Sequence, residues 1–147
     1  GSMLVYENYA IIDSKMKKHI TVAAAVIIKD NRVFCARRSD TGESGGTWEF
    51  PGGKLEKNER AADALTREIQ EELNSIIEIV SPLITVEHEY AAFSITMHAF
   101  VCALRSGSLQ LSEHTESRWL SVDELEDVDW VPADIPVMKK VKELLAL

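Results

Sequence analysis

Strand-like segments outnumber helical segments in this chain, and strand and helix do not alternate regularly. Residues 20–28 form a largely apolar run rich in Val, Ile and Ala, which is typical of a buried strand. Asp30-Asn31 is a turn signal, so residues 32–36 are predicted to return as the second strand of a hairpin. Further extended segments are predicted at residues 48–50, 76–80, 83–90, 94–104 and 117–122. This order favours a mixed sheet with helices packed on it, and it does not fit a βαβ repeat.

Two segments have helical periodicity. Leu and Ile recur every four residues from 65 to 73, so a helix over residues 59–73 would turn one apolar stripe toward a core. Asn58 is a candidate N-cap, and Asn74 is a candidate left-handed residue at the C-terminal end. The second helix is predicted at residues 135–145. The sequence therefore predicts one helix in the middle of the chain and one at its end.

Shorter signals complete the prediction. Residues 121–124 have the spacing of a capping box, which predicts a short helix after the last strand. Residues 39–46 are polar and contain glycine, which indicates a loop. No repeat or linker interrupts the chain, so residues 1–147 are predicted to form one domain. Gly1-Ser2 resembles a cloning scar, and residues 3–15 are interpreted as an N-terminal extension.

Composition and charge exclude some classes of function. The 147 residues are 46% hydrophobic and 27% charged, which is ordinary for a globular protein. Asp and Glu number 24 against 16 Lys and Arg, a net charge of −8, which argues against binding to a nucleic acid polymer. A small phosphorylated ligand remains possible, because a divalent cation can reverse the local field. Residues 20–28 are too few to span a bilayer, so no membrane association is expected.

Cysteine and histidine do not suggest a metal centre. Cys35 and Cys102 lie in strand-like segments and are predicted to be buried, reduced thiols, which fits a cytoplasmic protein. The histidines have no zinc-site spacing, so structural or surface roles are expected for each. They are His19, His88, His98 and His114. Whether the protein is a monomer or a homodimer stays open.

Three glutamates on the first predicted helix are the strongest chemical signal. Glu68, Glu71 and Glu72 lie at i, i+3 and i+4 and therefore share one face. A solvated acidic face is the ordinary interpretation of such a run. The alternative is a site for Mg²⁺ or Mn²⁺, which prefer oxygen ligands and would remove the carboxylate repulsion. Arg67 could offset more of the charge, and Gly52-Gly53 upstream would let the backbone approach a metal or a phosphate closely.

The spacing of these residues resembles the Nudix box, which fits a metal site better than an acidic face. That box runs glycine, five residues, glutamate, seven residues, arginine–glutamate, an aliphatic residue, any residue and two glutamates. The matching positions here are Gly53, Glu59, Arg67, Glu68, Ile69, Glu71 and Glu72. Two later positions depart from the box, because Asn74 replaces its glycine and Ser75 its aliphatic residue. Asn is the second choice for a left-handed helix end, so the fold is expected to tolerate the change.

The similarity extends over about residues 17–144. Residues 48–54 resemble the entry to the box in MutT-like enzymes, and Trp119 with residues 132–136 resembles their CTP pyrophosphohydrolase branch. The resemblance implies an α/β/α sandwich with a mixed central sheet. It also implies a Mg²⁺- or Mn²⁺-dependent hydrolase that attacks the β-phosphorus of a nucleoside triphosphate and releases the monophosphate and diphosphate. The implied substrate is 8-oxo-dGTP or a (d)CTP-type nucleotide, in a nucleotide-pool cleaning role.

The resemblance also implies roles for individual residues near the metal. The Gly52 carbonyl, Glu71 and Glu72 would be metal ligands. Glu68 would be a ligand or the group that orients and deprotonates the attacking water. Glu113 would complete the metal site, with a surface loop acid as the alternative.

Other residues would support the cluster or bind the substrate. Arg67 would hold the carboxylates, and Glu59 would pair within the loop–helix unit. Arg38 would contact a phosphate, unless it is an ordinary surface arginine. Phe50 and Asp134 would touch the base. The alternative for Asp134 is that its side chain caps the final helix.

The base itself stays open. An ionised Asp134 only accepts hydrogen bonds, which suits the adjacent donors of guanine or 8-oxoguanine. The similarity of residues 132–136 favours cytosine instead, whose N3 would repel a carboxylate unless one of the two is protonated.

Other classes of protein remain as alternatives. A Nudix hydrolase of nucleotide sugars, ADP-ribose or dinucleoside polyphosphates is one, although the small domain argues against it. A non-catalytic nucleotide-binding module is another, and it would be expected to lack some of the carboxylates that this chain retains.

Overall fold

The computed structural model describes residues 17–39 and 46–147. These parts contain seven strands, two α-helices and two short 3₁₀ helices. The strands are β1 (Lys18–Lys29), β2 (Arg32–Arg37), β3 (Trp48–Glu49), β4 (Gly52–Lys54), β5 (Ile76–Glu89), β6 (Phe93–Ser106) and β7 (Glu116–Leu120). The α-helices are α1 (Ala61–Leu73) and α2 (Ile135–Leu145), and the 3₁₀ helices are Val122–Asp127 and Pro132–Asp134. The predictions on Gly1-Ser2, residues 3–15 and most of the 39–46 loop lie outside the described residues.

β1 is the centre of a mixed sheet. It runs parallel to β6 over ten residue pairs, from Lys18 opposite Phe93 to Ile27 opposite Cys102. Its other edge pairs antiparallel with β4 and, at the hairpin end, with β2. β5 lies antiparallel to β6, while β3 and β7 pair with β2. The predicted mixed sheet is therefore confirmed.

The two α-helices cover opposite faces of this sheet. Successive residues of a strand point to opposite faces, and both faces of β1 are buried. One core combines Ala23, Ala25 and Ile27 of β1 with Leu65, Ile69 and Leu73 of α1. The other combines Ala24 and Val26 of β1 with Val137, Val141 and Leu145 of α2. The result is the α/β/α sandwich that the family resemblance implies.

Local signals placed several boundaries correctly. Asp30 and Asn31 have φ of 51° and 60°, as a two-residue hairpin turn requires. The predicted capping box is present, because Glu124 Oε1 accepts from the backbone N–H of Ser121 at 3.0 Å. α2 spans the residues predicted for it. Cys35 and Cys102 are buried and unpaired, as predicted.

The predicted start of α1 is wrong. Asn58 is not the N-cap; it has φ 64°, and the helix begins at Ala61 after Arg60. The physical reason is the Glu59 side chain. It accepts hydrogen bonds from the backbone N–H of Glu56 and from the guanidinium of Arg67, which lies eight residues later on α1. These bonds hold residues 56–59 in a tight loop and delay the helix by two residues.

The prediction of two strands at residues 76–80 and 83–90 is also wrong. One 14-residue strand, β5, covers both segments. Its register with β6 shifts between Ile79 and Ser81 and again between Pro82 and Ile84. Pro82 lacks an N–H donor, and an irregular register accommodates it without ending the strand.

Ser75 replaces the aliphatic residue of the box and is nevertheless buried. Its hydroxyl donates to the Leu73 carbonyl at 2.9 Å and accepts from the Leu109 N–H at 2.8 Å. These bonds tie the end of α1 to the segment that follows β6. The departure from the box is therefore compensated within the fold.

Asn74 ends α1 in the left-handed conformation that was predicted, with φ 46° and ψ 44°. Replacing Asn74 by Gly should be neutral or stabilise the fold slightly, because Gly has no Cβ to strain this conformation. Replacing it by Val should reduce the free energy of unfolding by about 1–2 kcal/mol or more, because a β-branched side chain opposes positive φ. Urea denaturation of the three proteins measures both effects. Equal stabilities for the Gly and Val variants would contradict the assigned helix end.

Within residues 17–39 and 46–147, neither α-helix has the length and hydrophobicity of a membrane-spanning segment.

Candidate active site

A cleft of about 1030 Å³ opens beside β1, β3 and β4 and contains most of the predicted site residues. The turn at residues 90–93, the segment at residues 113–114 and the segment at residues 129–134 complete its walls. Of the residues proposed from sequence, those that line it are Arg38, Phe50, Gly52, Glu72, Glu113 and Asp134. The cleft therefore gathers residues that are far apart in sequence, whereas the proposed residues Arg67, Glu68 and Glu71 are not among its lining residues.

Glu68 and Glu72 lie one helical turn apart on α1. Burial, the adjacent Glu68 carboxyl group and the negative charges of Glu113 and Glu49 together raise the pKa of Glu72 to about 8. Such a shift marks a region where several carboxylates compete for too little positive charge. Glu113, which follows β6 in sequence by several residues, is thus close enough to act on Glu72.

Two glycines let the backbone of β4 fit against this cluster. A Cβ at Gly53 would collide with the Glu68 carboxylate, and a Cβ at Gly52 would collide with the Ala23 carbonyl of β1. Any other residue would push β4 away from α1 and from β1. The sequence retains glycine here because the carboxylate and the strand occupy the space that a side chain would need.

Arg67 organises the acidic face from the side of the loop. Its Nε and Nη2 bind both oxygens of Glu59 at 2.9 Å, in the bidentate geometry that guanidinium and carboxylate favour. Its Nη1 lies 2.8 Å from Glu68 and 3.3 Å from Glu71. The Arg67 hydrogen bond lowers the pKa of Glu59 to about 2. Arg67 therefore joins the residue 56–59 loop to the helix and neutralises part of the cluster.

The donor set fits a hard divalent cation. Over residues 17–39 and 46–147, no three His, Cys, Asp or Glu side chains already stand as a closed ligand group. Arg67 takes up part of the negative charge of Glu68 and Glu71. Glu72 still lies within reach of the negative charges of Glu68, Glu113 and Glu49. These groups offer oxygen ligands in excess of the local positive charge, which is the chemistry that Mg²⁺ and Mn²⁺ require.

Glu113 is presented by a segment that is fastened on both sides. Ser112 donates to the Glu72 carbonyl at 2.7 Å, at the end of α1. Thr115 donates its N–H to the Arg37 carbonyl at 3.0 Å, at the end of β2. These bonds fix the residue between them against the carboxylate cluster.

Glu49, Arg38 and His114 form a hydrogen-bonded group that the sequence did not reveal. Glu49 accepts from Arg38 Nη1 at 2.9 Å with one oxygen and from His114 Nε2 at 2.8 Å with the other. Burial alone would raise the pKa of Glu49, but the bonds from His114 and Arg38 outweigh it and hold that pKa below its usual range. The expectation of a structural or surface role for His114 missed this position in the cleft. Two signals were available: the neighbouring Glu113 and a charged residue between Trp48 and Phe50.

Asp134 lies almost fully buried at the other end of the cleft. Its Oδ2 accepts from the Phe50 N–H at 2.9 Å, and no side-chain bond to the helix N-terminus is present, so the helix-capping alternative is wrong. Burial raises the pKa of Asp134 to about 8. Phe50 stacks on Trp130 with ring centroids 4.6 Å apart. An acid and an aromatic ring thus stand side by side, which suits a flat polar ligand.

Main-chain bonds hold this pair in place. Trp48 donates to the Asp129 carbonyl at 2.8 Å, and Val131 donates to the Trp48 carbonyl at 2.9 Å. The Tyr90 hydroxyl accepts from the Ala133 N–H at 3.0 Å. The Pro132–Asp134 turn is therefore attached both to β3 and to the end of β5.

The Asp134→Asn variant should be more stable than the wild type by a margin that grows as the pH rises. The folded-state pKa of about 8 exceeds the ordinary value, so the folded protein keeps a proton that the unfolded chain releases. Wild-type stability therefore falls between about pH 4 and about pH 8, whereas Asn does not titrate. From about pH 5.5 to about pH 8 the advantage of Asn should grow by about 3 kcal/mol at most. Urea denaturation at both pH values tests this, and a constant difference would contradict the raised pKa.

Comparison with known proteins agrees with this architecture. The NUDIX domain family matches residues 23–140. The CTP pyrophosphohydrolase of Escherichia coli (strain K12) is 34% identical over 129 residues, which cover 88% of this chain and 96% of that protein. The 8-oxo-dGTP diphosphatase of Proteus vulgaris is 45% identical over 86 residues, 58% of this chain and 77% of that protein.

A solved structure gives the same result. The DNA mismatch repair protein MutT, a Nudix hydrolase from methicillin-resistant Staphylococcus aureus 252, is 43% identical and superposes with a TM-score of 0.73. The superposition covers 88% of this chain and 99% of that one. With a family match over most of its length and relatives of this similarity, the chain belongs to the Nudix family as a MutT-like hydrolase.

Proposed function

We propose that this protein is a Mg²⁺-dependent pyrophosphohydrolase that converts a nucleoside triphosphate to the monophosphate and diphosphate. One observation carries the proposal: Glu72 and Glu113 line the same cleft as Phe50 and Asp134. The first pair offers carboxylates to a cation and its phosphates, and the second offers a ring and an acid to a base. A molecule with a polyphosphate at one end and a base at the other fits this arrangement.

Different residues of the cleft and of α1 would bind the metal, accept a proton and bind the phosphates. Mg²⁺ or Mn²⁺ bound by Glu68, Glu71, Glu72, Glu113 and the Gly52 carbonyl would neutralise phosphate charge and lower the pKa of a water molecule. Glu68, which Arg67 holds beside Gly53, would orient the attacking water and receive its proton. Arg67 keeps Glu68 and Glu71 in place. Arg38 is held at the cleft wall by Glu49, where its remaining N–H groups can bind a phosphate oxygen.

The state of Asp134 bears on the choice of base. A carboxylic acid that keeps its proton offers one donor and one acceptor, whereas a carboxylate only accepts. Cytosine presents N4–H and N3, which are a donor and an acceptor, so a neutral Asp134 can bind it. Oxidised guanine also presents such a pair, at N7–H and O6. The raised pKa therefore removes the objection to cytosine and leaves (d)CTP-type nucleotides and 8-oxo-dGTP as the proposed substrates.

A diphosphate-release screen tests the proposed function. The panel should contain dGTP, 8-oxo-dGTP, dCTP, 5-methyl-dCTP, dATP and dTTP, with ADP-ribose and a dinucleoside polyphosphate as substrates of other Nudix enzymes. We expect turnover of a cytosine or oxidised-guanine triphosphate with Mg²⁺ or Mn²⁺, and none in EDTA. Full turnover in EDTA, or turnover of ADP-ribose alone, would contradict the proposal.

A place in nucleotide-pool cleaning follows from these substrates. Hydrolysis of a damaged or surplus triphosphate would remove it before a polymerase uses it. The relatives named for CTP and 8-oxo-dGTP hydrolysis support this role. Burial raises the pKa of both Cys35 and Cys102 to about 12 and keeps them as unreactive thiols, which is consistent with a cytoplasmic location.

A further inference from the structure

His114 lies at the border of the cleft, although it belongs to no sequence motif that predicted a functional role. Its side chain is only 8% exposed although it borders the cleft. It lies next to Glu113, and its Nε2 is 2.8 Å from Glu49, which is 65 residues earlier in the chain. Because the other Glu49 oxygen binds Arg38, one carboxylate connects the histidine to the arginine. These contacts form a chain that runs from the segment of Glu113 through Glu49 to Arg38.

The direction of each hydrogen bond is fixed by chemistry. Glu49 accepts from Arg38 and is held ionised, so it can only accept from His114 as well. The Nε2 atom of His114 must therefore carry the hydrogen. The role of His114 is that of a neutral or charged donor at one defined ring position, and it does not depend on a change of protonation.

Arg38 needs such support because its side chain is long and 47% exposed. Its backbone is fixed, since its N–H donates to the Thr47 carbonyl and its carbonyl accepts from the Gly46 N–H. The guanidinium could still adopt several rotamers, and each lost rotamer reduces the free energy gained on binding. Glu49, only 21% exposed and itself held by His114, restricts the guanidinium to one place before a ligand arrives.

We propose that His114 is a positioning residue for nucleotide binding: through Glu49 it holds Arg38 ready to take a phosphate oxygen of the substrate. This inference rests on the proposed function, because Arg38 must meet a triphosphate. The hydrogen bond that His114 makes goes to Glu49 and not to the carboxylates of α1. Its loss should therefore affect binding of the nucleotide and leave the chemical step largely intact.

Two substitutions of nearly equal size separate this role from general stability. Gln at position 114 places its amide nitrogen near the position of Nε2, whereas Asn places it near Nδ1, where it cannot reach Glu49. We expect His114→Asn to raise KM for the best triphosphate by about 10–100-fold, with kcat changed by less than about threefold. His114→Gln should restore most of the loss. His98→Asn is the matched control, because His98 binds Thr85 through Nδ1 on the sheet surface, and its KM should be unchanged.

A double-mutant cycle tests the route through Arg38. Arg38→Met should raise KM by itself, and adding His114→Asn to it should raise KM no further, because the two changes disrupt one interaction. The Kd of an α,β-methylene triphosphate analogue should follow the same pattern without turnover. The Mg²⁺ concentration for half-maximal rate should stay the same in all variants.

The possible failures are distinguishable. If the wild type hydrolyses no triphosphate, the proposed function fails. If the wild type is active but His114→Asn lowers kcat and leaves KM and Kd unchanged, the positioning role is wrong. It is equally wrong if His114→Gln behaves like His114→Asn, or if His114→Asn has its full effect in the Arg38→Met background.

Discussion

Replacing Glu72 by Gln should lower kcat for triphosphate hydrolysis by at least about a hundredfold and leave the protein folded. Residues that only support metal ligands typically account for 10–100-fold in activity or affinity, so the loss of a ligand should exceed that range. Gln keeps the size of the side chain and one oxygen, but it loses the charge that a divalent cation needs and the capacity to take a proton. Steady-state kinetics at saturating Mg²⁺ measure the effect, with Glu143→Gln on the exposed face of α2 as the control.

The same variant should change stability in opposite directions with and without metal. The pKa of Glu72 is raised to about 8 by burial and by its carboxylate neighbours. The folded state therefore becomes less stable as the pH rises from the ordinary Glu value toward about 8, and Gln removes this penalty. In EDTA at about pH 8.5, Glu72→Gln should have the higher Tm.

Added Mg²⁺ should reverse that order, because a ligand stabilises only the protein that binds it. At about pH 5 in EDTA the two Tm values should be close, since both side chains are then neutral. A Glu72→Gln protein that keeps wild-type kcat, or that gains as much Tm from Mg²⁺ as the wild type, would contradict the assignment of Glu72 as a metal ligand.

Replacing Asp134 by Ala should change the ranking of substrates much more than it changes the dependence on Mg²⁺. Asp134 is 2% exposed and is bonded through one oxygen to the Phe50 N–H. A well-placed pair of hydrogen bonds to a base contributes about 1–3 kcal/mol of discrimination, or roughly 5- to 150-fold in kcat/KM. We expect a loss of this size for the preferred base and a much smaller loss for the others.

Four substrates are sufficient for the measurement: dGTP, 8-oxo-dGTP, dCTP and 5-methyl-dCTP. The pH dependence supplies a second readout, because above about pH 8 the wild-type Asp134 becomes ionised and loses its donor. Preference for a base that needs that donor should then decline, whereas the Ala variant should show no such change. If all four kcat/KM values fall by one common factor in the Ala variant, Asp134 does not distinguish the bases.

Local sequence signals predicted those parts of the fold that short-range chemistry determines. The four-residue recurrence of Leu65, Ile69 and Leu73 identified the buried stripe of α1, and all three side chains are fully buried. Asp30-Asn31 and Asn74 were identified because few other residues accept positive φ. In each case the residues that form the structure lie within a few positions of one another.

Features that depend on distant partners could not be predicted in this way. The start of α1 is set by Arg67 reaching back to Glu59, an interaction that competes with the N-cap signal of Asn58. The continuity of β5 across Pro82 depends on β6, which supplies the partner for an irregular register. A proline between two apolar segments normally indicates a break, and only the neighbouring strand overrides that indication.

In the candidate site, too, residues that are near in sequence could be predicted and those with distant partners could not. Glu68, Glu71 and Glu72 are near in sequence, so their spacing alone placed them on one face. The alternative for Asp134, a helix cap, was plausible from its neighbours Ile135 and Pro136. Its actual partner, Phe50, is 84 residues away. His114 and Glu49 are likewise 65 residues apart, and no local sequence pattern indicates that they form a hydrogen bond.

The parallel pairing of β1 with β6 has a consequence for synthesis on the ribosome. Lys18 and Phe93 are neighbours in the sheet but are separated by about 75 residues in sequence. During translation, β1 leaves the exit tunnel soon before β2 and β4 but long before β6, so one edge of this apolar strand stays unpaired while most of the chain is made. Contacts between distant residues form slowly, and exposed strand edges favour association between chains. We therefore expect faster elongation or a holding chaperone to improve the yield of folded protein, and substitutions that weaken β6 to lower yield more than equally destabilising substitutions in α2.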